Sequence, residues 1–239
     1  MSKCGVCMNK LVIVTGTSSG LGLSTANFLL ESDYLVLGID KMPSMIDNPN
    51  YHHYEADLSQ LDISKVRKNL EDINGIWYSV IHCAGISVGK SIGELSEVDW
   101  NYSMQVNVTS AMKLCQLADE LMIDGGRIVL VSSPVAFAGA KKPSYSASKA
   151  ALHGLTMSVS RTLGKRNICV NTILPGPMIT GMTDDWSEER RASIATESRL
   201  NRLAKPAEVA YVICRMLDNE WSYMSASIID MTCGSMYGH

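Results

Sequence analysis

The chain has 239 residues and 26.1 kDa, with 21 basic and 24 acidic side chains, a formal charge of -3 and 46% hydrophobic residues. That is enough to bury a core without a metal or disulfide staple, and one domain covering 1–239 is expected. The mild acidity, without a basic stripe, argues against nucleic acid; no apolar run approaches the ~20 residues of a membrane span, and the N-terminus lacks signal-peptide form.

The seven cysteines are scattered through strand and helix patterns and read as reduced thiols of a cytoplasmic protein. Cys4 and Cys7 form a lone C-x-x-C with no second pair, and no metal is expected. The first structural element is the apolar run Leu11–Val14, which ends in Thr15-Gly16-Thr17-Ser18-Ser19-Gly20-Leu21-Gly22 and passes into a helical pattern. Strand, glycine turn and helix N-terminus in that order offer backbone N–H groups to a pyrophosphate. Gly16 lets the turn form, Gly20 and Gly22 allow close backbone approach, and Ser18 and Ser19 place hydroxyls beside them.

A second buried-strand pattern, Tyr34–Ile39, ends at Asp40, eighteen residues after Gly22. An acid there accepts both ribose hydroxyls of an adenosine and repels a 2′-phosphate, which points to NAD as the cofactor. The plainer reading is a turn cap, and Lys41 beside it is the residue that could offset the repulsion. The stretch 41–50, with Pro43 and Pro49, reads as loop; Tyr51–Ala56 is a third short strand leading to Asp57 and Leu58, where an adenine ring could rest. His52 and His53 are adjacent on it and face opposite sides, which reads as structural.

A helix follows over 63–70, then a strand over 76–82 that stops at the small residues Cys83, Ala84 and Gly85. Ser96 is the N-cap of a long helix running to about Leu121, with Asn107 in its interior, an unfavourable residue there unless its amide is used. Arg127–Val131 is a fifth strand, running into Ser132 and Ser133. After a loop marked by Gly139 and Pro143, the segment from Ser144 opens a helix in which Tyr145 and Lys149 are four apart and share a face. A sixth strand over 171–174 closes at Pro175-Gly176-Pro177, polar residues 181–203 read as two short mobile helices forming a substrate lid, and a last helix and a strand over 227–230 complete the chain. Alternating units of this kind give a doubly wound parallel α/β sheet, Rossmann-like, covered on both faces.

A tyrosine with a phenol pKa of about 10 needs help to act as a base near neutrality, and a cation one helical turn away supplies it. Together with the glycine turn and Asp40, the pair Tyr145 and Lys149 resembles the short-chain dehydrogenase/reductase family over nearly the whole chain. Thr15–Gly22 matches its T-G-x-x-x-G-x-G, Tyr145–Lys149 its Y-x-x-x-K, and 202–210 its R-x-x-x-P-x-E-V-A. The resemblance implies a catalytic tetrad of Asn107, Ser133, Tyr145 and Lys149: Tyr145 as acid/base, Lys149 lowering its pKa and holding the nicotinamide ribose, Ser133 holding the reacting oxygen, and Asn107 seating a water. It also implies cofactor contacts from Asp57, Leu58, Cys83, Ala84, Gly85, Pro175, Gly176, Met178 and Thr180, beside Gly16, Ser18, Ser19, Gly20, Leu21, Gly22 and Asp40.

Three features depart from the family pattern. His82-Cys83-Ala84-Gly85 stands for N-N-A-G; Ser133 precedes Tyr145 by twelve positions rather than the usual thirteen, leaving Ser132 open as the alternative; and Met231–Gly234 stands for the family's D-G-G tail. The resulting expectation is an NAD-dependent oxidoreductase acting on a secondary alcohol or ketone of a small, cyclic or hydroxylated metabolite, assembled as a homotetramer or, alternatively, a homodimer. The substrate wall combines Val88, Pro134, Val135, Phe137, Met178 and Met182 with the charged stretch around Trp186, in which Arg190 and Arg191 beside two glutamates read as a solvated face. The alternative from another class is a non-catalytic nucleotide-binding or regulatory protein on the same fold, which has no need of a tyrosine poised over a lysine.

Overall fold

A computed structural model describes residues 9–183 and 186–237. Seven strands, β1 (Lys10–Thr15), β2 (Leu35–Asp40), β3 (Tyr51–Glu55), β4 (Ile76–His82), β5 (Arg127–Val131), β6 (Cys169–Pro175) and β7 (Ile228–Met231), form one parallel sheet in the order β3-β2-β1-β4-β5-β6-β7. The order reverses between β1 and β4, so the two βα turns there diverge and leave a crevice at the carboxyl edge. Gly16, Asp40, Asp57, Cys83, Ser133 and Gly176 all stand at or just beyond that edge.

The central strands are continuous apolar runs because both faces are covered. One face packs Leu11, Ile13, Val80, Ile128 and Leu130 against α2 (Ile63–Asp72), α4 (Ser110–Leu121) and α6 (Pro143–Leu163). The other packs Val12, Val14, Ile81 and Val129 against α1 (Gly20–Glu31) and α8 (Pro206–Arg215). On α8 the fully buried Val209 and Ile213 each contribute about 1.5–3 kcal/mol by leaving water. Its start is fixed by Pro206 in the first turn and by Glu208, which accepts from the Lys205 N–H and from the two terminal guanidinium nitrogens of Arg202 at 2.8 and 2.7 Å.

Two elements differ from the sequence expectation in instructive ways. The helix capped by Ser96 is not continuous: α3 (Glu97–Met104) passes through a π-turn at Gln105–Thr109 before α4. Asn107 lies in that turn, where its amide bonds outside the helix hold a wider coil that an ordinary α-helix has no reason to adopt. Pro143, expected in the loop, instead takes the first turn of α6, where a missing N–H costs nothing, and the loop before it contains the short helix α5 (Val135–Ala138). Cys4 and Cys7 lie outside the described residues, and so does the side chain of Met182. Among the described residues Cys83, Cys115, Cys169, Cys214 and Cys233 are free thiols, and no helix is long and apolar enough to cross a membrane.

Candidate active site

The glycine turn folds as its sequence requires. Gly16 has φ +77°, a left-handed value, and a Cβ on Gly22 would stand 2.1 Å from the Gly16 carbonyl oxygen, so neither tolerates a side chain. α1 begins at Gly20, and the hydroxyl of Ser19 makes no capping bond, so no side chain satisfies the first N–H groups of a helix whose dipole already favours an anion. Thr180 faces this turn from the far wall, its Cγ2 3.3 Å from where a Gly20 Cβ would sit. The hydroxyl of Ser18, expected beside the phosphates, points elsewhere: it donates to the carbonyls of Met42 and Pro43 at 3.0 and 2.9 Å.

Asp40 ends β2, and its carboxylate accepts the Ser18 N–H at 3.0 Å on Oδ2 and the Met42 N–H at 2.9 Å on Oδ1. Each oxygen keeps a lone pair for a ribose hydroxyl, so the turn-cap and ribose readings hold together. Lys41 is exposed and makes no ion pair with Asp40. Asp57 caps a short turn by accepting the Ser59 N–H at 2.8 Å, and Leu58 is buried beneath it. Burial pushes the Cys83 thiol up to about 12, so it stays neutral, with its sulfur 3.9 Å from the Thr25 hydroxyl. Glycines where a Cβ would clash, uncapped helix N–H groups and a carboxylate with free lone pairs fit a dinucleotide cofactor.

The four residues of the expected tetrad converge. Ser133 follows β5 and stands beside Tyr145, where its hydroxyl acts to lower the phenol's pKa, whereas Ser132 faces inward, donating to the Lys149 carbonyl at 2.9 Å and lying 2.9 Å from His153 Nε2. Of the two serines left open by the sequence, Ser133 is therefore the one on the Tyr145 side, and the loop from Ser133 to Tyr145 contains α5. Asn107, fully buried, donates to the Ile86 carbonyl at 2.9 Å and to Ser148 Oγ at 2.8 Å, and accepts the Ile86 N–H at 2.8 Å. Ser148 in turn donates to the Tyr145 carbonyl at 2.8 Å. The Asn107 amide has therefore spent both hydrogens on protein, and it ties the π-turn to the first turn of α6.

One expectation fails in this geometry. Lys149 Nζ donates to the Val131 carbonyl at 2.8 Å and lies 5.9 Å from the Tyr145 ring centroid. Burial raises the Tyr145 phenol above its ordinary value, the Ser133 hydrogen bond pulls it down, and Lys149 does not enter as a lowering charge. Lys149 is itself depressed to about 8 by burial, with Cys83 opposing. Burial outweighs the Ser133 hydroxyl, so the Tyr145 phenol stands above rather than below its ordinary value.

His82, noted in the sequence only as a departure, is the hub of a buried network. Ser110 Oγ donates to the Val106 carbonyl at 2.6 Å and so offers only an acceptor to the ring, which places the His82 proton on Nε2 and leaves Nδ1 to accept from Thr15 Oγ1 at 2.9 Å; Thr15 Oγ1 in turn accepts the Ala84 N–H at 3.1 Å. The Nε2 side faces Ser110 Oγ at 3.4 Å and the main chain of Asn107 and Val106. Burial, then the Lys149 charge, hold its pKa down at about 3, against the pull of those carbonyls. The imidazole thus joins the strand of the glycine turn to the π-turn bearing Asn107. Thr15, in the T-G motif, was the sequence signal for this contact.

At the far wall Met178 pairs with Ala204 in an isolated bridge, and Thr183 Oγ1 donates within reach of the Met178 and Thr180 carbonyls at 2.9 Å each. α7 (Glu188–Ala195) follows; Arg191 donates to the Thr183 carbonyl at 3.0 Å, and Arg190 lies over the Trp186 ring at 4.6 Å. Both arginines therefore fasten this segment to itself. Phe137, more than half exposed, packs on His153 with centroids 4.8 Å apart. A cavity of about 350 Å³ opens between Gly176, Leu200, Leu203, Val209 and Thr232, and its lining includes none of Ser133, Tyr145 and Lys149.

The family model for short chain dehydrogenases matches residues 10–191. The chain is 28% identical to the 3-oxoacyl-[acyl-carrier-protein] reductase of Thermotoga maritima, over 94% of this chain and 97% of that one. Among solved structures, a short chain dehydrogenase family protein from Francisella tularensis superposes with a TM-score of 0.89 at 25% identity, covering 97% of this chain and 100% of that one. A 4-hydroxyisoleucine dehydrogenase complexed with NADH has the same fold, with a TM-score of 0.89 at 23% identity and the same coverage. The chain belongs to the short-chain dehydrogenase family and is an NAD(P)-dependent oxidoreductase.

Proposed function

We propose that the chain moves a hydride between NAD(H) and a secondary alcohol or ketone of a small, cyclic or hydroxylated metabolite, with Tyr145 as its acid/base. The observation that carries this reading is the Ser133–Tyr145 hydroxyl pair at the carboxyl edge of the sheet, one helical turn from buried Lys149 and facing the Asp40 crevice. Bound nicotinamide supplies the hydride chemistry, and the chain supplies orientation and the proton. Burial keeps the Tyr145 phenol protonated, which is the form reduction needs: Ser133 donates to the carbonyl oxygen and Tyr145 passes its proton there as the carbon is reduced. Oxidation runs the same proton back to Tyr145. Asn107 holds α6 in place through Ser148, and Lys149 stands within the crevice to hold a ribose hydroxyl, with Gly85 backbone beside its Nζ.

Asp40 supports NAD over NADP, since a fixed carboxylate repels a 2′-phosphate. Titration calorimetry with both cofactors tests this: tighter binding of NAD is expected, Asp40→Ala should narrow the difference, and equal or tighter NADP binding by the unmodified protein would overturn it. A second substrate reading comes from the Thermotoga maritima relative, a 3-oxoacyl-[acyl-carrier-protein] reductase. A panel containing cyclic ketones, sugars and acetoacetyl-CoA, followed by reduced-cofactor absorbance, separates the two readings.

The segment 181–203 serves as the substrate lid in this reading, and faster hydrogen exchange over 186–203 than in the strands is expected of the free protein. Exposed Val98, Trp100, Leu121 and Met157 on α3, α4 and α6 support assembly as a homotetramer, which solution mass measurement tests against a homodimer. Free thiols at Cys115, Cys169 and Cys214 suit a reducing cytoplasm, a placement tested by fractionation.

A further inference from the structure

The third strand carries two side chains that the reaction does not use. Tyr51 and His53 are two apart on β3 and therefore share a face. The Tyr51 hydroxyl crosses over β2 at Gly38, where a Cβ would stand 2.1 Å from it, and reaches Thr17 Oγ1 in the glycine turn at 2.8 Å. On its other side it meets His53 Nδ1 at 2.9 Å, and His53 Nε2 meets the Met42 carbonyl at 2.9 Å. A carbonyl only accepts, so Nε2 carries a hydrogen. Two loops distant in sequence are thus tied by one line of hydrogen bonds, Thr17 to Tyr51 to His53 to Met42.

Met42 is also where Asp40 is held. The carboxylate takes the Met42 N–H, the Ser18 hydroxyl takes the Met42 and Pro43 carbonyls, and His53 takes the Met42 carbonyl a second time. A carboxylate on a free loop could swing aside to admit a 2′-phosphate; one whose following residue is fixed at both its N–H and its carbonyl cannot do so cheaply. We propose that Tyr51 and His53 are specificity-determining positioning residues, which lock the 40–43 loop to the glycine turn and so hold Asp40 against a phosphorylated adenosine ribose. This rests on the NAD reading of Asp40.

The test is calorimetric titration of NAD and NADP into the unmodified protein, Tyr51→Phe, His53→Phe and His53→Gln, with turnover at saturating cofactor measured alongside. Tyr51→Phe and His53→Phe should weaken NAD roughly five- to tenfold, the worth of one neutral hydrogen bond, while NADP binding holds or improves, so that the preference ratio falls. His53→Gln, whose amide can donate to the Met42 carbonyl and accept from Tyr51, should restore the ratio. Turnover at saturation should stay near that of the unmodified protein in all three. An unchanged ratio in Tyr51→Phe and His53→Phe overturns the proposal, as does equal weakening of both cofactors, which is what a merely structural role would give. If the unmodified protein has no NAD preference, it is the Asp40 reading that fails.

Discussion

His82 gives the fold a specific acid weakness. The unfolded ring titrates near 6.5, whereas the folded ring, fully buried between Thr15 and Ser110, is held down at about 3. Between these values the unfolded chain binds a proton that the folded chain refuses, so stability is complete above 6.5 and is lost as pH falls through the window. At pH 5 the unfolded ring is mostly protonated, and the loss is about 2 kcal/mol; at pH 4 it is about 3 kcal/mol. His82→Gln removes the titration while leaving an amide able to accept from Thr15 and donate toward Ser110. Urea unfolding of both proteins at pH 7.5 and pH 5, at one protein concentration, isolates the effect from other titrating groups. The pH-dependent loss should be smaller in His82→Gln by about 2 kcal/mol. Equal losses in the two proteins would refute a buried, neutral His82.

Burial without a counter-charge should also make Lys149 a cost to the folded chain. Depressed from 10.5 to about 8, it leaves the native state binding fewer protons than the unfolded one across that window, so stability should rise as pH is raised through it. Lys149→Met should accordingly raise stability at pH 7 by a net of roughly 1–3 kcal/mol, seen as a higher melting temperature, while abolishing turnover; a lower melting temperature contradicts this. Ser133→Ala should reduce turnover about 10²-fold, the scale of one lost donor at a reacting oxygen, whereas Ser132→Ala, which loosens His153 and the Lys149 carbonyl, should act mainly on stability. Steady-state kinetics with thermal melts decides it, and equal rate losses would remove the distinction between the serines.

What the sequence made legible was what local pattern dictates. Apolar runs ending in small or acidic residues located every strand edge of the crevice, and the i, i+4 spacing placed Tyr145 and Lys149 on one face of α6. Side-chain direction across elements was another matter. The Ser18 hydroxyl was expected beside the phosphates, and the path of the 40–43 loop sends it to Met42 and Pro43 instead. Asn107 was recognisable as an amide needing partners, but the π-turn it creates depends on Ile86 and Ser148, 21 and 41 residues away. The tyrosine's acidity misled the sequence reading because spacing fixes Cα positions, while the lysine's charge acts through Nζ, which turns to Val131. His53 was read only beside His52 as a structural residue, because the partner that gives Tyr51 and His53 their role, Thr17, lies across Gly38 in another strand's turn.

The central claim is that Tyr145 carries the proton for hydride transfer with NAD(H), and replacing it with Phe, which keeps the ring, tests it most directly. With a substrate from the ketone and alcohol panel, Tyr145→Phe should fold, bind NAD as the unmodified protein does, and turn over about 10²- to 10⁴-fold more slowly. Near-full turnover in Tyr145→Phe, with NAD affinity intact, would contradict the account.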